Sequence, residues 1–124
     1  KTYSENVGIL TVSSGAVSVD LSNAQSFICT ATEAITEFQL LNIPVDSTSF
    51  TIRVDQDTTG SWGVGIDTFK NIGGNTIPVY WPGAVVPIVT TTASKSDVYS
   101  FKIFNGSSIT SVGMYGVIGG QNYG

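Results

Sequence analysis

Apolar and polar residues alternate with a period of two along much of the chain. The clearest run places Phe50, Ile52 and Val54 between polar or charged neighbours, and it stops at a turn signal over residues 57–60. This period puts the apolar side chains on one face of a strand. Similar short runs recur to the end of the chain, and no segment offers ten residues of helical periodicity with a cap and a stop. The pattern predicts an all-β, antiparallel sandwich or barrel of nine or ten short strands, without a helix.

The same alternation predicts part of the core and several connections. Phe101 and Ile103, in a late strand, are expected to be buried together with Phe50 and Ile52. Pro, Gly and Asn favour turns and the ends of strand pairing, so their positions predict the connections. They comprise a loop at residues 71–75, an edge segment or ordered loop at residues 77–87 and a turn at residues 105–106.

Length and charge narrow the class of protein. We expect the 124 residues to form one domain, residues 1–124, with residues 1–14 as a candidate N-terminal arm or link to a preceding segment. Only 11% of the residues are charged, and the net charge of −4 comes without any basic cluster. Nucleic-acid binding depends on clustered cations, and a membrane helix needs about 20 apolar residues. The sequence therefore predicts a soluble protein without a nucleic-acid partner or membrane insertion.

The absence of histidine removes most familiar catalytic arrangements, including Ser-His-Asp and Cys-His pairs. Two pairs of nearby carboxylates, Glu33 with Glu37 and Asp55 with Asp57, are the remaining candidates for acid–base work on a sugar. Neither pair lies in a recognisable motif. We therefore expect a protein that is not an enzyme and needs no cofactor.

Residues 55–60 imitate the start of a calcium loop, with oxygen-bearing side chains at its first, third and fifth positions and Gly60 at its sixth. A complete EF-hand loop ends with a glutamate at the twelfth position, which is Ile66 here. We interpret the segment as a strand-ending turn and predict no metal site. Residues 63–65 and 113–120 are rich in glycine, but neither segment is expected to connect a strand to a helix, as a phosphate-binding loop does. They therefore predict bulges or close backbone contacts rather than a phosphate site.

Four further residues have side chains that could carry a function. Cys29 is the only cysteine, and we expect a buried, unreactive thiol on a strand. Trp62, Tyr80 and Trp81 are the candidates for ligand or interface contact, because aromatic faces on loops hold sugars in lectin-like modules. Packing in the core or at an interface is the alternative for these rings.

Six phrases, in order, resemble a domain family of tailed-phage structural proteins, found at the C-terminal end of tail-fibre or virion-surface chains. Together they span about residues 15–124. They are residues 17–22, 50–57, 81–83, 89–93, 97–102 and 115–122.

The chain departs from the family pattern at two places. Residues 61–80 form a longer insertion before Trp81, and Met114 stands where the family tends to have tryptophan, after the extra run at residues 109–113. Both departures fall where strands turn, so they affect any shared ligand site more than the fold. The resemblance implies a jelly-roll-like β-sandwich on the virion surface, and it carries over no catalytic residues.

Two functions remain open on this basis. The first is an architectural module, such as a head decoration, fibre tip or tail component, with other virion proteins as partners. The second is an adhesin that recognises a host cell-surface glycan or protein. The low charge also predicts apolar surface that a second copy covers, with residues 77–89 and 113–124 contributing. The resemblance makes a homotrimer the expected assembly.

Overall fold

The computed structural model describes residues 6–124, and this part of the chain contains eleven strands. The all-β prediction is confirmed, and the number of strands exceeds the expected nine or ten. Four of the strands have only two residues, too short to show a periodic pattern in the sequence. The strands are β1 (Val7–Leu10), β2 (Val12–Ser13), β3 (Ala16–Asp20), β4 (Ser26–Ala31), β5 (Glu37–Leu41), β6 (Thr48–Gln56), β7 (Phe69–Lys70), β8 (Thr76–Ile77), β9 (Val79–Tyr80), β10 (Ser96–Ile103) and β11 (Met114–Tyr123).

The strands form two sheets of mixed direction. One sheet has six strands in the order β1-β4-β6-β10-β11-β9, and the other has five in the order β2-β3-β5-β7-β8. Five of the nine strand pairings are parallel and four are antiparallel. The expectation of a purely antiparallel fold is therefore wrong. Alternation shows which face of a strand is buried but not the direction of its neighbour, which depends on the connections.

An aromatic core joins the two sheets. Phe38 and Phe69 stack in the five-stranded sheet with ring centroids 5.1 Å apart, and Phe50 and Phe101 stack at the same distance in the six-stranded sheet. Phe69 also meets Phe101 edge to face at 4.9 Å. The predicted core residues Phe50, Ile52, Phe101 and Ile103 are all at most 2% exposed, which confirms that prediction.

Helical structure in the described part of the chain is short. It comprises the four-residue helix α1 (Ile109–Val112) and two 3₁₀ turns, Pro82–Ala84 and Gly106–Ser108. The turn signal at residues 105–106 thus starts a helical connection between β10 and β11. Within residues 6–124, no helix has the length and apolar character needed to cross a bilayer.

The other predicted connections are observed. The loop at residues 71–75 closes between β7 and β8 through a hydrogen bond from Asn71 N to Asn75 O of 3.0 Å. The proline-containing segment at residues 77–87 includes β9, which lies at the edge of the six-stranded sheet. Of the candidate arm at residues 1–14, residues 1–5 lie outside the described residues, and β1 and β2 belong to the two sheets.

Candidate functional site

The three aromatic residues selected from the sequence lie in different environments. Trp62 is half-buried, and its Nε1 donates a hydrogen bond to Asp57 Oδ1 at 3.0 Å. Trp81 is buried, and its Nε1 donates to Asp67 Oδ1 at 2.6 Å. Tyr80 is exposed. Among the ring contacts of residues 6–124, none joins Trp62 to either of the others, so the three do not form one ligand site.

Tyr80 belongs to an exposed aromatic cluster on the outer face of the six-stranded sheet. Its ring lies 5.4 Å from that of Tyr115, which in turn lies 5.6 Å from the ring of Phe104. Lys102 Nζ stands 5.5 Å above the Phe104 ring, within the range of a cation–π contact. Neither Tyr115 nor Phe104 was singled out from the sequence as a contact residue. The cluster forms because β9, β10 and β11 are neighbours in the sheet.

A groove of about 540 Å³ lies next to this cluster, beside β11. It is lined by residues 81–82, residues 85–88, Val117, Ile118 and Gln121. The lining is aliphatic or aromatic apart from Gln121. Such a groove suits an apolar side chain or an extended apolar segment.

The groove exists because β9 stops early. β9 pairs with β11 only at Met114 and Tyr115, and Pro82 soon follows in the chain. Proline has no amide hydrogen to donate, so the ladder cannot continue past it. From Gly116 onward, no other strand of the described residues lies on this side of β11.

Gly116 allows Trp81 to lie flat against β11 at the base of the groove. A β-carbon at this position would come 2.6 Å from the Trp81 ring, closer than real contacts of this kind. Trp81 also meets the rings of Phe101 at 5.7 Å and Tyr99 at 6.3 Å. The core and the groove therefore share this indole.

The cluster and the groove make one continuous surface, because Val117 lines the groove and also a second depression shared with Tyr115. Its large apolar side chains are each between 46% and 89% exposed, and Lys102 lines the second depression beside them. We call this surface the apolar face. Its members are Tyr80, Val85, Val86, Ile88, Phe104, Tyr115, Val117 and Ile118.

A buried carboxylate holds the end of β11 in place. Asp97 is 1% exposed and accepts hydrogen bonds from the Thr90 amide at 2.7 Å, the Tyr99 hydroxyl at 2.7 Å and the Asn122 amide at 2.9 Å. Gln121 Nε2 lies 3.2 Å away. Burial opposes ionisation of Asp97, but the amide and hydroxyl donors outweigh it and hold its pKa below the ordinary value. Burial, followed by the bond to Asp97, raises the pKa of Tyr99.

Gln121 connects this carboxylate to the groove. Its Nε2 donates to Ile88 O at 2.8 Å and to the Tyr99 hydroxyl at 2.9 Å. The two sides of the groove, β11 and residues 85–88, are therefore tied together through one side chain. A sequence signal for this network was present: Asp97 occupies the same alternating positions as Tyr99 and Phe101, which marks it as a carboxylate on a buried face.

A second buried polar side chain, Gln56, joins the segment that follows β6 to the segment that precedes β10. Gln56 is 4% exposed, its Nε2 donates to Trp62 O at 2.8 Å and Thr90 O at 3.2 Å, and its Oε1 accepts from Trp62 N at 3.1 Å. Buried polar groups are costly unless they are paired, and Gln56 is paired at both ends. The described residues contain no buried side-chain nitrogen or oxygen without a partner.

Asp57 forms the predicted strand-ending turn. Its Oδ1 accepts hydrogen bonds from Thr59 N at 3.0 Å and Gly60 N at 2.9 Å, in addition to the Trp62 indole. The bonds from Gly60, the Trp62 indole and Thr59, taken against burial, lower the pKa of this carboxyl. The turn interpretation is thereby confirmed. Within residues 6–124, no group of three or more His, Cys, Asp or Glu side chains could hold a metal ion.

The other candidate carboxylates are engaged in local contacts. Asp55 forms an ion pair with Arg53 at 2.8 Å, and Glu37 forms one with Lys70 at 3.3 Å. Glu33 accepts a backbone hydrogen bond at 2.8 Å. Each of these three side chains therefore has a local partner in the folded chain.

Cys29 is fully buried on β4, as expected. Burial, followed by the nearby charge of Asp55, raises the pKa of its thiol to about 11. Since the thiolate is the reactive form, the thiol is unreactive near neutral pH.

Comparison of the chain with protein-family models, curated proteins and solved structures finds no match.

Proposed function

We propose that this chain is a non-enzymatic structural module of a tailed-phage virion and that it assembles with copies of itself as a trimer. The observation that carries the proposal is the apolar face. The two segments expected from the sequence to contribute, residues 77–89 and 113–124, supply all of it except Phe104. The family resemblance supports the virion surface as the location, either on the head or in the tail, and supports the threefold number.

The size of the apolar face supports association. A covered aromatic side chain buries roughly 150–250 Å², so hiding the three half-exposed rings removes about 300 Å² from water. Covering the five aliphatic side chains removes an apolar area of roughly the same size from water. One partner in a standard interface hides about 800 Å², of which somewhat more than half is apolar. The apolar face is therefore large enough for a stable contact.

The chemistry of the surface supports a structural role over a catalytic one. A face of uncharged aliphatic and aromatic side chains can exclude water and pack against a similar surface, but it offers no nucleophile and no general base. A β-sandwich, the fold class that the family resemblance implies, is part of the same proposal. The two sheets that face each other across an aromatic core support it.

Light scattering on the purified protein tests self-association. Over a concentration series that reaches about 100 µM, we expect the mass to reach about 39 kDa, three times the chain mass of 13.0 kDa. A mass that stays near 13 kDa over the whole concentration range would contradict the proposal. Electron microscopy of the intact particle tests the location: contact with neighbouring subunits on several sides supports the architectural role.

The aromatic cluster favours a second candidate function, receptor binding. Exposed rings such as Tyr80, Tyr115 and Phe104 stack against sugars in binding modules, and Lys102 beside them could contact a polar group. This function requires the cluster to remain open to solvent in the assembled protein. A position at an exposed distal tip of the particle, with binding to host glycans lost in Tyr115→Ala, would favour it over the architectural role.

A further inference from the structure

The six-stranded sheet has two edges that no strand of the described residues covers. β1 lies at one end, and at the other end β9 covers only the first two residues of β11. An uncovered strand edge presents unpaired amide and carbonyl groups, which can pair with another chain. On the β9 side, residues 116–123 of β11 face residues 85–88 across the groove rather than a strand, with Gln121 bonded to Ile88 O. They and the four residues of β1 therefore offer two backbone pairing surfaces in one molecule.

Both edges carry exposed aliphatic side chains on the outer face of the sheet. On β1, Val7 is 57% exposed and Ile9 is 72% exposed. On β11, Val117 is 48% exposed and lies opposite the outward-facing Ser100. Natural proteins usually protect free edges with charged residues or proline. Neither β1 nor residues 116–123 of β11 contains a charged residue, so both edges can accept a strand from a partner.

The strand directions make the two edges compatible with each other. β1, β4 and β6 run parallel, and two antiparallel steps through β10 bring β11 back to the same direction. A second copy that continued the sheet past β11 would therefore place its β1 parallel to β11. The short β1 fits within the free length of residues 116–123.

We infer that, in the trimer of the proposed function, β1 of one copy pairs with the free edge of β11 in the next copy. This inference rests on the proposed function. Each copy then uses two different surfaces, and a contact of that kind closes into a ring when the rotation between copies is one third of a turn. Ile9 of one copy comes to lie beside Val117 of the next on the outer face. The groove along residues 85–88 lies at this junction.

The main alternative is a twofold contact between two β11 edges. Substitutions that introduce opposite charges on β1 and β11 distinguish it from the β1–β11 pairing. We expect Ile9→Lys alone and Val117→Glu alone to shift the mass from trimer to monomer, because each puts an unpaired charge into the junction. Combined in one chain, the two substitutions bring lysine against glutamate at every junction, so the trimer should return. A twofold β11 contact would instead meet glutamate with glutamate, without recovery.

Ile72→Lys is the matched control. Ile72 is 73% exposed on the loop between β7 and β8, in the other sheet, and its substitution should leave the trimer unchanged. Circular dichroism of each variant shows whether it remains folded. If a variant does not fold, hydrogen exchange on the unmodified protein provides the measurement: amides of β1 and of residues 116–123 should become protected together as concentration rises.

The outcomes separate this inference from the function on which it rests. A protein that is monomeric at all concentrations contradicts both. A trimer that persists in either single variant, that the double variant fails to restore, or that protects the β11 edge without β1 overturns the edge pairing and leaves self-association standing.

Discussion

Asp97 is the residue on which the C-terminal segment most depends. Its carboxylate accepts hydrogen bonds from Tyr99 in β10, from Thr90 in the segment before β10 and from Asn122 near the end of β11, and so connects the start of β10 to a part of the chain 25 residues away. Charge-assisted hydrogen bonds in a buried position are stronger than neutral ones. The orientation of Gln121 in the groove depends on the same contacts.

We expect Asp97→Asn to lower the free energy of unfolding by about 2–3 kcal/mol near neutral pH, since hydrogen bonds to a charged group contribute about that much. The pKa of Asp97 is lowered in the folded state, so its contribution is present above the ordinary value of 3.8 and is lost as pH falls below it. The difference between the two proteins should therefore shrink in acid. Urea unfolding at several pH values between about 2 and 7 measures it, and a difference independent of pH would exclude this role for the carboxylate.

At the scale of the element, β11 performs two tasks on its two faces. Its inner face packs on the core through Met114 and under Trp81 at Gly116, while its outer face exposes Tyr115 and Val117. Because side chains alternate along a strand, both tasks fit in consecutive residues. A change at Gly116 therefore reaches both the core and the groove.

Gly116→Ala should destabilise the fold by about 1–3 kcal/mol, the usual cost of overpacking, because the new methyl group would overlap the Trp81 ring. Gly63→Ala is a matched control, since a β-carbon at that position meets nothing within 4 Å. Thermal unfolding should show a loss of several degrees for the first variant and little change for the second. Equal melting temperatures for Gly116→Ala and the unmodified protein would show that Trp81 does not occupy this position.

At the scale of the whole molecule, the uncharged apolar face determines how association responds to salt. Salt screens contacts between exposed charges but does not weaken apolar contact, and sulfate strengthens it. We expect the trimer to persist when sodium chloride rises to about 1 M and to tighten in sulfate. Sedimentation velocity over a salt series measures this, and dissociation by sodium chloride would indicate that ionic contacts hold the copies together.

The sequence by itself determined the all-β class, the residues that face the core and several turns. Alternation at Phe50, Ile52 and Phe101 is a local property of the strand, as is the ability of Asp57 to accept hydrogen bonds from amides two and three residues ahead. These features need no knowledge of which strands are neighbours. The sequence also indicated which two segments would remain apolar at the surface.

Only the tertiary structure decided the mixed direction of the sheets and the shape of the candidate site. The Tyr80, Phe104 and Tyr115 rings come from three parts of the chain and meet because β9 and β10 flank β11. Pairing between distant strands depends on how connections cross the molecule, and a period of two carries no information about it. The same reason explains why β11 has a free edge: the position of Pro82 is visible in the sequence, but the strand that it leaves uncovered is not.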